Sequence, residues 1–507
     1  MSGKMRIAIV GAGVSGIAFA RVLSRFGHEC VVFDKAPRIG GIWALTYPDV
    51  RLQNSREQYT FCDFSWPQEP DQHPTAAQIL NYLEAVVAHY GLDVRLEHCV
   101  TQLLEIDGGW ALTVEHDEDD QVLTFDYIVI SIGQYAEQKH RPEFPGEAEF
   151  SGQVLTERDV KSLDIFSDKK VAVVGFGKSA VDMCSFAAPT ARSVAHVFRT
   201  PRWLVPFRIL GAHYTYVFFA RATTLFMPSW IHATRIEHAL HRFCSGLVAV
   251  VWKVIEFIVG KHIAGHADTG NPDSARRLKS VTPNHSFARD LRSATAMTPL
   301  NYYRFVANGA IEPYHDEVSG FDKTSVHLSN GESIDADVVV LSVGSGTPVF
   351  PFLPSHIRSI IENENDGVQL YRHLLHPEIP RLAFAGYNHG FMHIPAAEIG
   401  ALWLCAVLRG DIELPSAAIQ EQSINAIREW KRAHINYEPS RSCAVSTRFQ
   451  QHIDALLIEL GISPYRKMPN IFTELFARYG GADYAGVVDE VFNNRPANSR
   501  SVRSMDI

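Results

Sequence analysis

Paired cysteines are missing from this sequence. Its seven cysteines are scattered without a C-x-x-C pair, so neither a disulfide framework nor a structural zinc site is indicated. An excess of basic residues is missing as well, because the formal net charge is -9 at pH 7. A net negative charge argues against a general affinity for nucleic acid. We therefore expect a cytoplasmic protein with no metal site and no nucleic-acid partner.

The N-terminal segment lacks the pattern of a targeting signal. The apolar start MRIAIVGAGVSG has no small-residue cleavage site after a signal-like stretch, and its glycines have a better explanation. The composition, with 46% hydrophobic and 20% charged residues, is ordinary for a soluble protein. Because 507 residues can form two or three hydrophobic cores, we expect several domains.

A first glycine-rich turn follows the strand-like run RIAIV. Gly11, Gly13 and Gly16 form a G-x-G-x-x-G pattern directly before the apolar-periodic segment IAFARVLSRFG. The first glycine permits a tight turn, the second lets the backbone approach a pyrophosphate, and the third lets the helix pack on the strand. Asp34 ends the next strand-like run, where a carboxylate can accept hydrogen bonds from both ribose hydroxyls. Together these features predict a site for a dinucleotide without a 2'-phosphate.

A second such turn lies in VAVVGFGKSAVD, where Gly175, Gly177 and Ala180 occupy the three positions. Alanine in the third position still allows fairly close packing of the helix on the strand. The next strand-like run, SVAHVF, is followed by cationic and hydroxyl side chains instead of an acid. These side chains are Arg199, Thr200 and Arg202. They would attract a 2'-phosphate, so this turn predicts an NADPH site, although surface arginines are also common.

Two dinucleotide sites of different preference in one chain suggest a flavin that is reduced by a nicotinamide. Further motifs agree with this interpretation: DKAPRIGGIW, SREQYTFCDFSWP, FDYIVISIGQY with RPEFPG, VFRTPRWLVP and RLAFAGYNHGFMHIPAAEIGALW. In these residues the chain resembles the flavin-containing monooxygenases and their Baeyer-Villiger relatives, the class B flavoprotein monooxygenases, over nearly its whole length.

The resemblance implies FAD and NADPH as cofactors, with O2 and a small or apolar organic molecule as substrates. It implies formation of a C4a-(hydro)peroxyflavin and transfer of one oxygen atom to nitrogen, sulfur or a carbonyl group. Gly40 and Gly41 would let the backbone meet FAD, and Trp43 would cover it. Beyond the two turns, the cofactor-binding residues implied are Lys35, Gly41, Trp43, Gly133, Lys178, Ser179, Gly386 and Ala396.

The chain departs from the family pattern at several positions. Thr156 stands where the fingerprint F-x-G-x-x-x-H has histidine, and LSVGSG replaces the A-T-G motif and its aromatic residue with Ser345. Gln53 occupies the place of the family's catalytic asparagine, with Asn54 beside it, so an amide donor is retained in either case. These two amides are our catalytic candidates for heteroatom oxygenation.

Two alternatives stay open at this stage, and a third, a disulfide reductase, lacks the cysteine pair that it requires. Baeyer-Villiger insertion into a ketone would need a mobile arginine, for which the candidates are Arg289, Arg292 and Arg304, with Arg292 retained as the catalytic candidate. A non-catalytic flavin-binding protein or an uncoupled NADPH oxidase is the second alternative. A disulfide reductase would use the same two folds but needs a redox cysteine pair. The histidines that invite a metal interpretation, but are more simply polar residues near the cofactors, are His285, His389 and His393.

The order of the motifs predicts an α/β fold with two Rossmann-like dinucleotide-binding domains, the NADPH domain being inserted into the FAD domain. We expect FAD-binding residues at 1–165 and 325–440, an NADPH-binding domain at 166–324, and a C-terminal helical segment with a disordered polar tail at 441–507. The segment GESIDADVVVLSVGSG should return the chain to the FAD sheet.

An apolar helical insertion is expected at about 205–265. Its most apolar run carries Lys253 and Glu256 in the middle, and we reject a transmembrane span because burying these charges in hydrocarbon would cost several kcal/mol. The insertion can pack on the NADPH domain or on a partner subunit in a homodimer. It can also touch lipid as a peripheral contact or admit an apolar substrate.

Overall fold

The computed structural model describes residues 3–117, 119–133, 139–227, 231, 234–268, 270–293, 296–299, 301–364, 367–388, 390–434, 445, 447–494, 496 and 499–502. The strands are β1 Arg6–Val10, β2 Glu29–Phe33, β3 Asp93–Arg95, β4 Cys99–Ile106, β5 Gly109–His116, β6 Asp119–Phe125, β7 Tyr127–Ile130, β8 Gln153–Thr156, β9 Lys170–Val174, β10 Ser193–Phe198, β11 Leu204–Val205, β12 Arg208–Ile209, β13 Ala212–His213, β14 Ala296–Met297, β15 Ile311–His315, β16 Val318–Phe321, β17 Ser325–Leu328, β18 Ser333–Asp335, β19 Val338–Leu341, β20 Leu382–Phe384, β21 Ile412–Glu413 and β22 Arg500–Ser501. The helices are α1 Val14–Arg25, α2 Ala76–Tyr90, α3 Lys178–Ala187, α4 Tyr214–Phe218, α5 Arg221–Thr224, α6 Arg235–Phe243, α7 Ser245–Ala264, α8 Pro272–Ser280, α9 Phe287–Ser293, α10 Tyr302–Asn308, α11 Ser355–Ile361, α12 His393–Leu408, α13 Ala417–His434, α14 Phe449–Glu459, α15 Ile471–Phe476 and α16 Val487–Asn493.

Two five-stranded parallel sheets organise the fold. The first has the order β20-β7-β1-β2-β3, and the second has the order β15-β10-β9-β19-β8. The central strands are apolar and buried, as expected where a parallel sheet is covered on both faces. The predicted mixed α/β fold with parallel sheets is therefore confirmed.

The two sheets are built by the same sequence of elements. In each unit a strand, a glycine turn, a helix and a second strand are followed by a third parallel strand and a three-stranded antiparallel meander. The meander is β4-β5-β6 in the first unit and β16-β17-β18 in the second. The chain then re-enters the sheet beside its first strand, through β7 or β19. The repeat places the two glycine turns at equivalent positions.

The observed connections shift the predicted domain boundaries at 165 and 324. Strand β8, which we assigned to the first unit, pairs with β19 in the second sheet. Strand β19, which we expected to return the chain to the first sheet, lies between β9 and β8. The first sheet is instead completed by β20. The reason is physical, because a short buried run such as VVVL fits the interior of either parallel sheet equally well.

The described part of the predicted insertion contains the short strands β12 and β13 and helices α4 to α7, and it packs on the C-terminal segment. Arg221 is buried and forms ion pairs with Asp454 and Glu474. Arg448, also buried, pairs with Glu237 and donates to the carbonyl oxygens of nearby residues of the insertion. Buried guanidinium groups need such partners because an unpaired charge in the interior is costly. The insertion and the C-terminal helices therefore form one packed layer.

Helix α7 buries only one of its faces. Val248, Trp252, Val259 and Ile263 are buried, and the Trp252 indole donates to the Phe226 carbonyl at 2.6 Å. The opposite face exposes an apolar stripe, here called the α7 stripe, formed by Leu247, Val250, Val254 and Phe257. Their spacing of three and four residues follows one side of a helix.

Among the described helices, none reaches the length and apolarity of a membrane span by itself. Helices α6 and α7 do so only as a pair, and they are bent by 83° relative to each other. The polar tail is also partly different from our expectation, because β22 pairs with β21 and the Arg500 amide donates to the Asp411 carbonyl at 2.8 Å. These backbone hydrogen bonds order residues 500–501 against the fold.

Candidate functional site

At two positions of the first glycine turn, contacts within the protein leave no room for a side chain. Gly11 has φ +112°, and a Cβ on it would lie 2.3 Å from the Ser131 carbonyl oxygen. A Cβ on Gly16 would lie 2.0 Å from the Gly11 carbonyl oxygen. Distances under 3 Å are not tolerated, so these two positions must be glycine for the strand, turn and helix to pack.

Gly13 is different, because its packing does not require glycine. A Cβ there would meet only the Gly41 Cα, at the ordinary contact distance of 3.9 Å. The open space lies at the N-terminus of helix α1, where backbone N–H groups and the helix dipole favour an anion. The residues present therefore fit a pyrophosphate group at this turn.

Asp34 lies at the end of β2 beside this turn. Its Oδ2 accepts a hydrogen bond from the Ala12 amide at 2.6 Å, and its Oδ1 accepts one from the Ala36 amide at 2.9 Å. A carboxylate has about four acceptor positions, so these two bonds orient Asp34 and leave capacity for ribose hydroxyls. Lys35 is exposed next to it. The role of Asp34 as a ribose ligand stays a prediction.

The segment after Asp34 brings a second glycine pair to the turn. Gly40 has φ +119°, and a Cβ on it would lie 2.2 Å from the Leu80 Cδ2 atom. The half-buried Trp43 follows in a 3-10 turn, and its indole N–H donates to the Tyr59 hydroxyl at 2.8 Å. Gly133, in the connection after strand β7, has φ +83° with open space around it.

The second glycine turn repeats the first. A Cβ on Gly175 would lie 2.3 Å from the Ser342 carbonyl oxygen, and Ala180 is fully buried on helix α3. Gly177 caps that helix, and no atom lies within 4 Å of the place that a Cβ on it would take. Open space at a helix N-terminus again fits an anionic group. The half-buried Lys178 and Ser179 begin the helix.

The side chains after β10 separate into two groups. Arg199 and Thr200 are exposed beyond the end of the strand, where a 2'-phosphate is expected. Arg202 is half-buried and lies 3.8 Å from the buried carboxylate of Asp290. The Asp290 carboxylate also accepts a hydrogen bond from the Trp203 amide at 2.7 Å. The structure thus brings Arg202 to Asp290 and leaves Arg199 and Thr200 exposed, and the phosphate roles of all three residues stay predictions.

The final predicted cofactor segment meets the first turn at Gly386. A Cβ on Gly386 would lie 2.6 Å from the Ser15 hydroxyl oxygen. The same hydroxyl lies 2.9 Å from Nε2 of His393, the first residue of helix α12. Burial lowers the pKa of His393 to about 4, so this imidazole is neutral at physiological pH. Ala396, one turn further along, is also buried.

A buried ion pair between Arg21 and Glu398 connects helix α12 to helix α1. The buried Arg21 pairs with Glu398 and lies 2.5 Å from Asp63. Glu398 is itself fully buried, and its second oxygen accepts the Cys62 amide at 2.7 Å. Because every charge in this group has a partner, the segment holding Gly386 has a fixed position relative to the first turn.

The two candidate amides have different surroundings. Gln53 is half-buried, and its Oε1 accepts a hydrogen bond from the Met297 amide at 2.8 Å. Asn54 is buried, and its Nδ2 donates to the Phe391 carbonyl. The Tyr214 hydroxyl donates to the Gln53 carbonyl at 2.7 Å. Asn54 is therefore hydrogen-bonded to the final predicted cofactor segment, which includes Phe391. Gln53 still has its Nε2 amino group available as a donor.

An aromatic cluster that the sequence did not predict lies next to these amides. The ring centroids of Phe219 and Phe391 are 5.7 Å apart, and Phe449 lies 5.1 Å from Phe219 and 6.0 Å from Phe391. The three residues come from the insertion, the final cofactor segment and the C-terminal segment. No local pattern identifies them, because each one is apolar and only the tertiary fold brings them together.

The remaining candidates are exposed, are paired with other residues, or lie outside the described residues. Arg289 and Arg304 are exposed. The Arg292 side chain and His389 lie outside the described part of the chain. Thr156, in the fingerprint position of histidine, is buried, and its amide and hydroxyl donate to Asp159 at 2.8 Å and 2.7 Å. His285 lies 2.8 Å from Asp290.

The chain matches the family model "Flavin-binding monooxygenase-like" over residues 4–242 and 304–476. It is similar to "Probable flavin-containing monooxygenase 1" of Arabidopsis thaliana, with 28% identity over 94% of this chain and 96% of that protein. Among solved structures it resembles S-allyl-L-cysteine S-oxygenase from Allium sativum, with a TM-score of 0.62 and 18% identity over 97% of this chain and 99% of that one. It also resembles cyclohexanone monooxygenase, with a TM-score of 0.67 and 19% identity over 90% of this chain and 98% of that one.

Proposed function

We propose that this chain, which belongs to the flavin-binding monooxygenase-like family and is an FAD-dependent monooxygenase that uses NADPH, oxygenates the sulfur or nitrogen atom of a small organic substrate. When bound, the two cofactors supply the electrons that activate O2, so that one oxygen atom reaches the substrate and the other leaves as water. The residues of this chain bind the cofactors, orient the substrate and exclude water.

The turn containing Gly13 would hold the FAD pyrophosphate, with Asp34 on the ribose and Gly41, Trp43 and Gly386 along the rest of the cofactor. The turn containing Gly177 would hold NADPH. This assignment is supported by the contrast between the two glycines that leave open space and the neighbouring glycines that the packing requires. It is also supported by Asp34 at one turn and Arg199 at the other, because a carboxylate repels a 2'-phosphate and a guanidinium attracts it.

Gln53 would donate its amide N–H to oxygen at the reacting end of the site. Its Oε1 is held by the Met297 amide, which leaves Nε2 as the preorganised donor. Asn54 would position the segment that includes Phe391. The cluster of Phe219, Phe391 and Phe449 would exclude water, which is the condition for transferring oxygen to substrate instead of releasing hydrogen peroxide.

Two observations support heteroatom oxygenation: the amide donors beside the aromatic cluster, and the exposure of the two arginine candidates whose side chains the structure describes. Insertion of oxygen into a ketone would require a cation close to the reacting oxygen. Arg289 and Arg304 are exposed, Gln53 is half-buried and Asn54 is buried, while the Arg292 side chain lies outside the described residues. The function is therefore best tested with a panel of thioethers, amines and ketones.

The assay would follow NADPH consumption, O2 consumption and oxygenated product for each substrate. We expect sulfoxides or N-oxides in a one-to-one ratio with NADPH. Lactones or esters as the main products would overturn the heteroatom preference and favour Baeyer-Villiger insertion. NADPH oxidation that yields only hydrogen peroxide with every substrate would favour the uncoupled oxidase.

The α7 stripe is proposed to contact an anionic lipid surface. The exposed charges described on α6 and α7 are all positive: Arg235, Arg242, Lys253 and Lys261. The two acidic residues of these helices face inward, since Glu237 pairs with Arg448 and Glu256 accepts the Phe287 amide at 2.7 Å. An apolar stripe with a basic rim, on a chain of net charge -9, matches an anionic membrane surface.

Cosedimentation with vesicles would test this contact. We expect binding to phosphatidylglycerol vesicles, weaker binding to phosphatidylcholine vesicles, and loss of binding in Val250→Glu/Val254→Glu. The wild-type protein could instead form a dimer and bind no vesicles. If the same double variant abolished that dimer, a second copy of the chain would be shown to cover the stripe. A cytoplasmic location is proposed for the protein in either case.

A further inference from the structure

We propose that Asp182 couples the two nucleotide-binding turns, because one of its carboxylate oxygens accepts from Tyr47 near the first turn and from Lys178 at the second. Asp182 and Tyr47 are thus positioning residues that set the affinity of the second turn for NADP⁺. This inference rests on the proposed placement of NADPH at the second turn.

The contact that carries the proposal is a shared acceptor. The Tyr47 hydroxyl donates to Oδ2 of Asp182 at 2.8 Å, and the Lys178 ammonium pairs with the same oxygen. Tyr47 and Asp182 are both buried. Burial, and then the nearby Asp182 carboxylate, raise the pKa of Tyr47 well above its ordinary value, so this hydroxyl remains a donor at all physiological pH values.

Each donor comes from a segment that lies next to a different nucleotide-binding turn. Tyr47 follows the 3-10 turn Gly41–Leu45, whose first residue lies against Gly13. Lys178 is the first residue of helix α3 and directly follows Gly177, where the backbone is open. The Lys178 side chain is 20% exposed and pairs with the buried Asp182 carboxylate.

These positions make Asp182 and a bound pyrophosphate compete for Lys178. If the ammonium turns toward a phosphate, the buried carboxylate loses one of its donors. The Tyr47 hydroxyl then satisfies the same oxygen and lowers the cost of that movement. Without Tyr47, releasing Lys178 would leave the carboxylate poorly solvated, so the ammonium would stay on Asp182 and the dinucleotide would bind more weakly.

The test compares Tyr47→Phe and Asp182→Asn in the FAD-loaded protein. NADP⁺ affinity is measured by isothermal titration calorimetry, and flavin content and melting temperature are measured in parallel. We expect Tyr47→Phe to weaken NADP⁺ binding by on the order of fivefold. We expect Asp182→Asn to bind NADP⁺ as tightly as the wild type or more tightly, because neutralising the competitor releases Lys178. Lys178→Met should remove most of the effect of Tyr47→Phe in the double variant.

Weaker NADP⁺ binding in Tyr47→Phe but not in Asp182→Asn distinguishes coupling from structural damage, which would weaken binding in both. Tyr82→Phe is the matched control, since it also removes a buried tyrosine hydroxyl, one that donates to the Phe64 carbonyl at 2.5 Å. It should leave NADP⁺ affinity unchanged. The coupling is wrong if both variants weaken binding equally, or if Tyr47→Phe leaves the affinity unchanged. If the wild-type protein bound no NADP⁺ at all, the assignment of the second turn would fail together with the coupling.

Discussion

The carbonyl oxygen of Ser131 lies so close to Gly11 that a Cβ on residue 11 would be 2.3 Å from it. Gly175 and Ser342 repeat this relationship at the same distance in the second sheet. At both turns, the strand that re-enters the sheet therefore closes against the first glycine. The next glycine of each turn has open space instead, which separates positions required by packing from positions available to a ligand.

The first prediction uses this separation. Gly13→Ala should fold, because its Cβ meets only an atom at 3.9 Å, but it should lose most of its FAD because the methyl group occupies the pyrophosphate space. Gly11→Ala should lower the free energy of unfolding by at least about 1 to 3 kcal/mol. The reason is that φ at residue 11 is positive and the added Cβ would overlap the Ser131 carbonyl oxygen. Flavin absorbance per chain and thermal unfolding would measure both effects. A fully yellow Gly13→Ala protein would contradict the assignment.

The second prediction concerns coenzyme preference. Arg199→Ala should weaken NADPH binding by about 1.5 to 3 kcal/mol, the usual value of a hydrogen bond to a charged group, and leave NADH binding nearly unchanged. Arg202→Ala is the control, because Arg202 lies 3.8 Å from Asp290 and should affect stability more than the coenzyme ratio. Titration of each variant with NADPH and with NADH would measure both dissociation constants and their ratio. An unchanged NADPH to NADH ratio in Arg199→Ala would place the 2'-phosphate elsewhere.

The third prediction concerns coupling of NADPH oxidation to oxygenation. Gln53→Ala should retain flavin reduction by NADPH but release more hydrogen peroxide and less oxygenated product. Removing a preorganised donor at a developing charge typically costs about 2.7 to 4 kcal/mol. Asn54→Ala should mainly lower the melting temperature, because Asn54 donates to the Phe391 carbonyl. Wild-type coupling in Gln53→Ala, measured with the true substrate, would show that this amide is structural.

The fourth prediction concerns stability and pH. Burial lowers the pKa of His196 to about 4, and the imidazole lies 2.7 Å from the Gly175 carbonyl oxygen at the second turn. The unfolded pKa is about 6.5, so between these values the unfolded chain binds more protons than the folded chain. The stabilisation from neutral His196 is complete above pH 6.5 and is lost as the pH falls toward 4, by about 3 kcal/mol.

Denaturant unfolding at a series of pH values would test this linkage. The free energy of unfolding should fall more steeply with acidification in the wild type than in His196→Gln, by up to about 1.4 kcal/mol per pH unit. The same slope in both proteins would mean that His196 is protonated without a cost in the folded state.

Local spacing is sufficient to predict both nucleotide-binding turns. Each turn lies between a strand and a helix that are adjacent in the sequence, so a pattern of nearby residues predicts it, although the carbonyl groups that lie against Gly11 and Gly175 come from distant residues. The family resemblance rests on the same short motifs and is confirmed by the family match. Lys178 and Asp182 are close in the sequence as well, but nothing in the sequence identifies Tyr47 as their partner.

Contacts between distant segments were decided by the tertiary structure. Strand β19 has the apolar pattern of any buried parallel strand, so only the assembled sheet shows that it belongs beside β9. Arg202 and Arg199 have the same chemistry, but Arg202 is half-buried beside Asp290, which is far along the chain, whereas Arg199 is exposed. A side chain's local sequence determines its chemistry, whereas its partner depends on which distant segment folds against it.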